Sequence, residues 1–235
     1  LQKNSLKILS TFPHRKAFCF KISILNFRSI NMKKFALVLA ALGLSTSAFA
    51  LESGISETGL SYNEVGIGYI SSTSTSGGSD DGTSAGFGIG GSALLSKNIF
   101  AFGSYSIPSG TFGTLGNVDT TDYQAGLGLR AAVAANADFN LSATYLNTKT
   151  SFSGVSGIYT GYATNASIRA LVAPKLEASI GVGYYDVKNE RFGSGSGTQY
   201  RVGAGYRFSE KIMGRAGYVT ESEANGYSVT VNYLF

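Results

Sequence analysis

Apolar and polar residues alternate through most of the chain beyond residue 59, most cleanly at its end. Tyr227, Val229, Val231, Tyr233 and Phe235 share one parity, and Ser228, Thr230 and Asn232 the other. That period of two places successive side chains on opposite faces of a strand. Val65, Ile67 and Tyr69 set against Glu64, Gly66 and Gly68 predict a first strand over Leu60 to Ile70. Leu60 and Tyr62 fall on the wrong parity, which predicts a bulge near Asn63 or an inward Tyr62. Phe87, Ile89, Ala93 and Leu95 mark a second strand. The third, Ile99 to Ile107, is ambiguous, because Phe100 and Phe102 compete with Ile99, Ala101 and Tyr105 for the apolar face.

The same alternation continues with Tyr123 to Leu129, Phe139 to Tyr145, Tyr162 to Ile168, Leu176 to Tyr184, Tyr200 to Phe208, Gly214 to Tyr218 and the terminal strand, ten strands in all. Long polar loops are predicted after each odd-numbered strand, among them Pro108 to Thr121 and Asn147 to about Tyr159, and short turns after each even one. Tyr recurs six positions after an apolar residue in Ile99 and Tyr105, Phe139 and Tyr145, and Ile212 and Tyr218. At ~3.3 Å per residue and a ~40° tilt, that spacing spans much of an apolar belt. The expected fold is therefore all-β: a closed antiparallel up-and-down transmembrane barrel of ten strands, with eight as the alternative count. A soluble sandwich is the rival, but the face opposite the Leu, Ile, Val and Tyr residues is mostly Gly, Ser, Asn, Gln and Arg, a composition suited to a narrow lumen.

Upstream lies a segment of another kind. Met32, Lys33 and Lys34 precede an apolar run from Phe35 to Leu44 and small residues ending in Ala48, Phe49 and Ala50, the layout of a secretory signal peptide. Residues 32 to 50 are read as that signal, residues 1 to 31 as upstream mistranslation, residues 51 to 59 as a polar tail and residues 51 to 235 as the barrel domain. The expected address is the outer membrane of a Gram-negative bacterium.

Removing the leader changes the charge. The whole chain carries 19 Lys and Arg against 14 Asp and Glu. None of the acids and eight of the bases precede residue 51, so the barrel is formally −3. The basic surplus is the leader's, and no nucleic-acid partner is expected. The only Cys and the only His, Cys19 and His14, also precede residue 51, which leaves the barrel without disulfide or His-based metal chemistry. No cofactor and no metal are expected.

Gly59 to Asn63, Asn98 to Ser106, Ala173 to Glu177 and Tyr206 to Phe208 together resemble small OmpA/OmpX-like outer-membrane proteins, most closely the branch known as sulfation-dependent quorum factors. The resemblance implies a resident outer-membrane barrel, inserted by the barrel assembly machinery through an alternating terminal strand that ends in Phe. Tyr227, Val229, Val231, Tyr233 and Phe235 match that insertion signal.

Barrel enzymes commonly work through His, and the barrel has none, so no enzyme activity and no catalytic residue are expected. Gly86, Gly88 and Gly91 have dinucleotide-motif spacing but lack the helix that chemistry needs. The informative polar set is Glu64, Arg130, Arg169, Glu177, Arg201, Arg207 and Arg215, all predicted inward. It reads first as an ion-paired plug, with Glu177 bridging arginines, and second as a narrow anion-leaning pore. Loop residues Asp80, Asp81, Lys149, Lys188 and Arg191 are candidate contacts for lipopolysaccharide, a host or cell-surface ligand. The leading expectation is a structural or surface-interaction role, with a solute-conducting pore as the alternative.

Overall fold

A computed structural model describes residues 55–74, 82–113, 116–189 and 193–235. The signal peptide, the upstream segment, Asp80, Asp81 and Arg191 lie outside the described residues. Ten strands follow one another: β1 Glu64–Ser74, β2 Gly82–Ser96, β3 Ile99–Phe112, β4 Gly116–Ala134, β5 Ala137–Phe152, β6 Val155–Ala173, β7 Leu176–Asn189, β8 Gly193–Arg207, β9 Ile212–Glu221 and β10 Ala224–Leu234. Each pairs antiparallel with its sequence neighbours, and β1 pairs with β10 to close the ring. Closure satisfies every strand edge, the condition for a sheet to stand in lipid.

The outward face is apolar where it meets that lipid. Ile67, Phe87 and Ile180 are each 62% exposed, an unfavourable arrangement in water and an ordinary one against hydrocarbon. Every strand places one aromatic in an outer ring: Tyr69, Phe87, Tyr105, Tyr123, Tyr145, Tyr162, Tyr184, Tyr200, Tyr218 and Tyr227. Cross-strand pairs such as Tyr105 with Tyr123, Tyr145 with Tyr162 and Tyr218 with Tyr227 show that the ring runs at one height. Such a girdle marks the lipid interface.

The third strand resolves its ambiguity inward. Phe100 and Phe102 face the lumen, where Phe100 packs on Tyr62 at 5.3 Å between ring centroids. Their rings fill the space left bare by Gly128 and Gly126, at which an added Cβ would lie 2.1 Å and 2.4 Å from them. Residues 60–62 resolve likewise: β1 begins only at Glu64, and Leu60 and Tyr62 are buried inside the barrel.

Several of the expected long loops are strands instead. β3 and β4 continue to within a few residues of each other, β5 and β6 are separated by a tight turn at Ser153 and Gly154, and β4 and β6 each run for 19 residues. A spanning strand needs only ~9–11 residues, so these hairpins rise well past the tyrosine ring. Their Ser- and Thr-rich composition reads as loop. Inside, however, Phe112, Val118 and Phe152 join Ala224 of β10 in one buried cluster toward the outer end, and this burial keeps the strands paired.

The other mouth is closed by the chain's own preceding segment. Residues 55–63 cross it, with Leu60 and Tyr62 packing on Leu94, Phe100 and Leu171. The reading of residues up to 59 as a plain polar tail is corrected here: Ser56 and Thr58 are buried too.

Candidate functional site

Polar side chains of β2, β5, β6 and β8 hold the plug. Asn63 Oδ1 accepts from the Leu94 amide at 3.1 Å, and Ser92 Oγ donates to the Tyr62 carbonyl at 2.8 Å. Thr58 and Tyr62 donate to Asp138 at 3.0 and 2.9 Å. Arg169 and Arg207 donate to the carbonyls of Ser61 and Gly59, each at 3.2 Å. Burial pushes the Tyr62 hydroxyl up to about 12, so it remains a donor at physiological pH. The Arg169 guanidinium also lies over the Tyr62 ring, 4.8 Å from its centroid, a cation–π contact.

Above the plug, five of the seven inward residues singled out from sequence lie in one network. Glu177 Oε2 accepts from Arg169 at 2.7 Å and from Arg215 at 3.2 Å. Arg207 is 3.7 Å from its other oxygen, and Arg215 also pairs with Glu64. Strands β6 to β9, with Glu64 from β1, bring these residues together because each contributes an inward position near its periplasmic end. Arg130 stands apart from them. It forms a two-pronged pair with Asp138, at 3.0 and 2.9 Å, and both side chains are buried. Arg201 lies higher on β8 and donates to Gln199 at 2.6 Å.

Sequence reasoning missed Asp138. Its parity matches Asn140, Ser142 and Thr144, which was signal enough to place it inward. Asp122 was missed in the same way: it is buried between the inward positions Ser106 and Thr148, its cross-strand neighbours.

On the outer surface, Lys149 and Lys188 point outward four residues beyond Tyr145 and Tyr184. Lys149 pairs with Ile158 and Lys188 with Thr160, so the two lysines flank β6. With strands ~4.8 Å apart and a two-residue offset, their Cα atoms are roughly 12 Å apart, close enough for both flexible side chains to converge. The other described cations point into the lumen or sit at the periplasmic turns. In the terminal strand, Tyr227, Val229, Val231 and Tyr233 face outward, Phe235 stacks on Tyr233, and its amide donates to the Asn63 carbonyl at 3.1 Å.

Belt, girdle and closed sheet define an integral outer-membrane β-barrel, and solved structures share the fold. An outer membrane channel from Pseudomonas putida F1 aligns at a TM-score of 0.52 and 12% identity, covering 74% of this chain and 95% of its own. The β domain of the Bordetella autotransporter Brka aligns at 0.50 and 11%, covering 74% and 99%. No curated protein sequence matches. Residues 120–219, which span β4 to β9, match the family described as Lipid A 3-O-deacylase (PagL).

That match overturns the expectation that the barrel is not an enzyme: the segment resembles a family whose description is an enzyme's. The absence of His from residues 51–235 was too narrow a criterion, since it excludes one type of base and not hydrolysis as such.

Proposed function

We propose that this barrel acts at the outer leaflet on lipid A, holding the phosphorylated glycolipid against the outward face of β4 to β9 and hydrolysing an acyl ester there. The observation that carries the reading is a coincidence of place. The deacylase-like segment, residues 120–219, contains both outward lysines above the tyrosine ring, Lys149 and Lys188. A lipid anchored by acyl chains beside Tyr145, Tyr162 and Tyr184 presents its phosphates at the height of these ammonium groups. Thr121 and Thr160, paired with Lys149 and Lys188 across the strands, add hydroxyl donors. Each cation is worth about 1 kcal/mol next to anionic headgroups.

The surface-interaction role becomes, in this proposal, an interaction with the membrane's own glycolipid, and the terminal strand serves as the insertion signal. A conducting pore has less support, because the plug occupies one mouth.

The test incubates the purified barrel with lipid A in mixed micelles and follows the lipid by mass spectrometry, with binding measured in parallel. Loss of one acyl chain, together with binding weakened about tenfold or more in the Lys149→Ala/Lys188→Ala double variant, is the expected result. Intact lipid A and no binding to folded protein would sink the proposal; binding without turnover would remove its enzymatic half.

A further inference from the structure

The lipid-facing reading leaves the upper rim of the barrel unused, and that rim is uneven. Through the apolar belt each strand is bonded on both sides. Above the tyrosine ring the hairpins differ in height: β9 and β10 turn back at Glu221 and Ala224, whereas β7 and β8 continue to Asn189 and Gly193. The pairing of β8 with β9 ends at Tyr200 with Thr220, but its pairing with β7 runs on without a bulge to Gly193 with Asn189. Residues 193–199, seven in all, therefore form a strand with one open side, about 23 Å long at ~3.3 Å per residue.

The direction of the open groups follows from the ladder. The Arg207 amide donates to the carbonyl of Lys175, next to β7, at 2.8 Å, and the Phe208 amide to the carbonyl of Ile212 on β9 at 2.9 Å. Backbone groups alternate sides along a strand, so odd-numbered residues of β8 bond toward β7 and even-numbered ones toward β9. Ser194, Ser196 and Thr198 accordingly turn their N–H and C=O groups to the side where, among the described residues, no strand lies.

Free edges are commonly blunted with charge, Pro or a bulge, and residues 193–199 have none of these. The β6 residues above Thr160 also lie beyond the pairing with β7, but there the Asn189 side chain donates to the Ile158 carbonyl at 2.6 Å. At the foot of the β8 edge stands a carboxylate instead. Glu221, the last residue of β9, shares the inward parity of the buried Val219, and its Oε2 is buried without a hydrogen-bond partner.

We propose that the β8 edge takes up an extended peptide as an added strand, antiparallel to β8 and in line with β9, with a Lys or Arg near the peptide's amino end paired to Glu221. Main-chain bonds to Ser194, Ser196 and Thr198 hold the peptide whatever its side chains, the general basis of strand addition, and the carboxylate selects the charge. The edge stands above Tyr200, the girdle residue of β8, so it meets the peptide in water and is independent of the lipid reading.

The experiment uses the protein purified from outer membranes in detergent. The probe is an acetylated heptapeptide with lysine first and threonine and valine alternating after it, labelled with fluorescein at its carboxyl end and followed by fluorescence anisotropy. Heat-modifiable gel mobility shows that each variant is folded. Saturable binding to the wild type is expected. Ser196→Pro removes one open N–H and no bond to β7, and is expected to weaken binding about fivefold or more, as is N-methylation of the peptide. Glutamine in place of the peptide's lysine is expected to weaken binding to the wild type about fivefold and to make no difference to Glu221→Gln.

No saturable binding to the folded wild type at millimolar peptide would overturn the proposal, as would binding unchanged in folded Ser196→Pro or with the N-methylated peptide. A lysine preference that persists in Glu221→Gln would overturn the charge pairing. A wild type that sediments as a dimer, with Ser196→Pro a monomer, would give the edge to a second copy and overturn the peptide as its occupant.

Discussion

The two ends of the lumen are packed by different chemistry. The periplasmic end is held by charge and hydrogen bonds: Arg130 on Asp138, three arginines around Glu177, and a plug whose carbonyls accept from Arg169 and Arg207. The outer end is lined by Phe112, Val118 and Phe152, with a second apolar patch of Leu146, Tyr159, Tyr185 and Val187 on β5 to β7. Its buried carboxylate, Asp122, has only hydroxyl-bearing residues, Ser106 and Thr148, opposite it on the neighbouring strands. A carboxylate held in ion pairs and a carboxyl group facing only hydroxyls, both buried, should answer mutation differently, because removing one member of a buried pair strands the other, whereas replacing the unpaired acid strands no charge.

Glu177→Gln is the strongest way to test that contrast. It leaves Arg169, Arg207 and Arg215 facing one another and is expected to cost about 3–5 kcal/mol, read as a fall in the urea midpoint of the barrel in lipid vesicles. A cost below about 1 kcal/mol, the scale of a surface pair, would mean that the network is hydrated and does not brace the fold. Leu60→Ala comes next. Leu60 is fully buried, and the cavity left beside Leu94 and Leu171 should cost about 3 kcal/mol, while also loosening the plug, visible as faster proteolysis near residue 60. Unchanged proteolysis would detach the plug from the stability of the barrel. The smallest effect is Asp122→Asn, expected to be neutral or to raise stability by about 1 kcal/mol. A clear loss instead would show that the carboxylate has a partner and would erase the difference between the two ends.

The outward face was legible because lipid enforces it at every second residue: the parity of Ile67 and Tyr69, or of Val229 and Val231, has one reading in a barrel. The lumen was only partly legible, since Gly, Ser, Phe and Arg all occur there and parity gives the face but not the partner. Glu64, Arg169, Glu177, Arg207 and Arg215 were placed inward from parity, yet Asp138, the partner of Arg130, was overlooked. The paired hairpins above the girdle were illegible for another reason. Outside lipid, Thr and Ser strands carry no outward apolar signal, and their pairing rests on inward contacts such as Phe152 with Ala224, residues far apart in sequence.

The plug runs without interruption into β1, and β1 is the strand that meets β10 to complete the ring. Phe235, directly after β10, bonds the carbonyl of Asn63, the last plug residue before β1. Stopper and seam are thus one length of backbone. A pull on residues 55–63 is transmitted to the joint that makes the barrel a cylinder, so withdrawing the stopper and unzipping the wall become the same mechanical event.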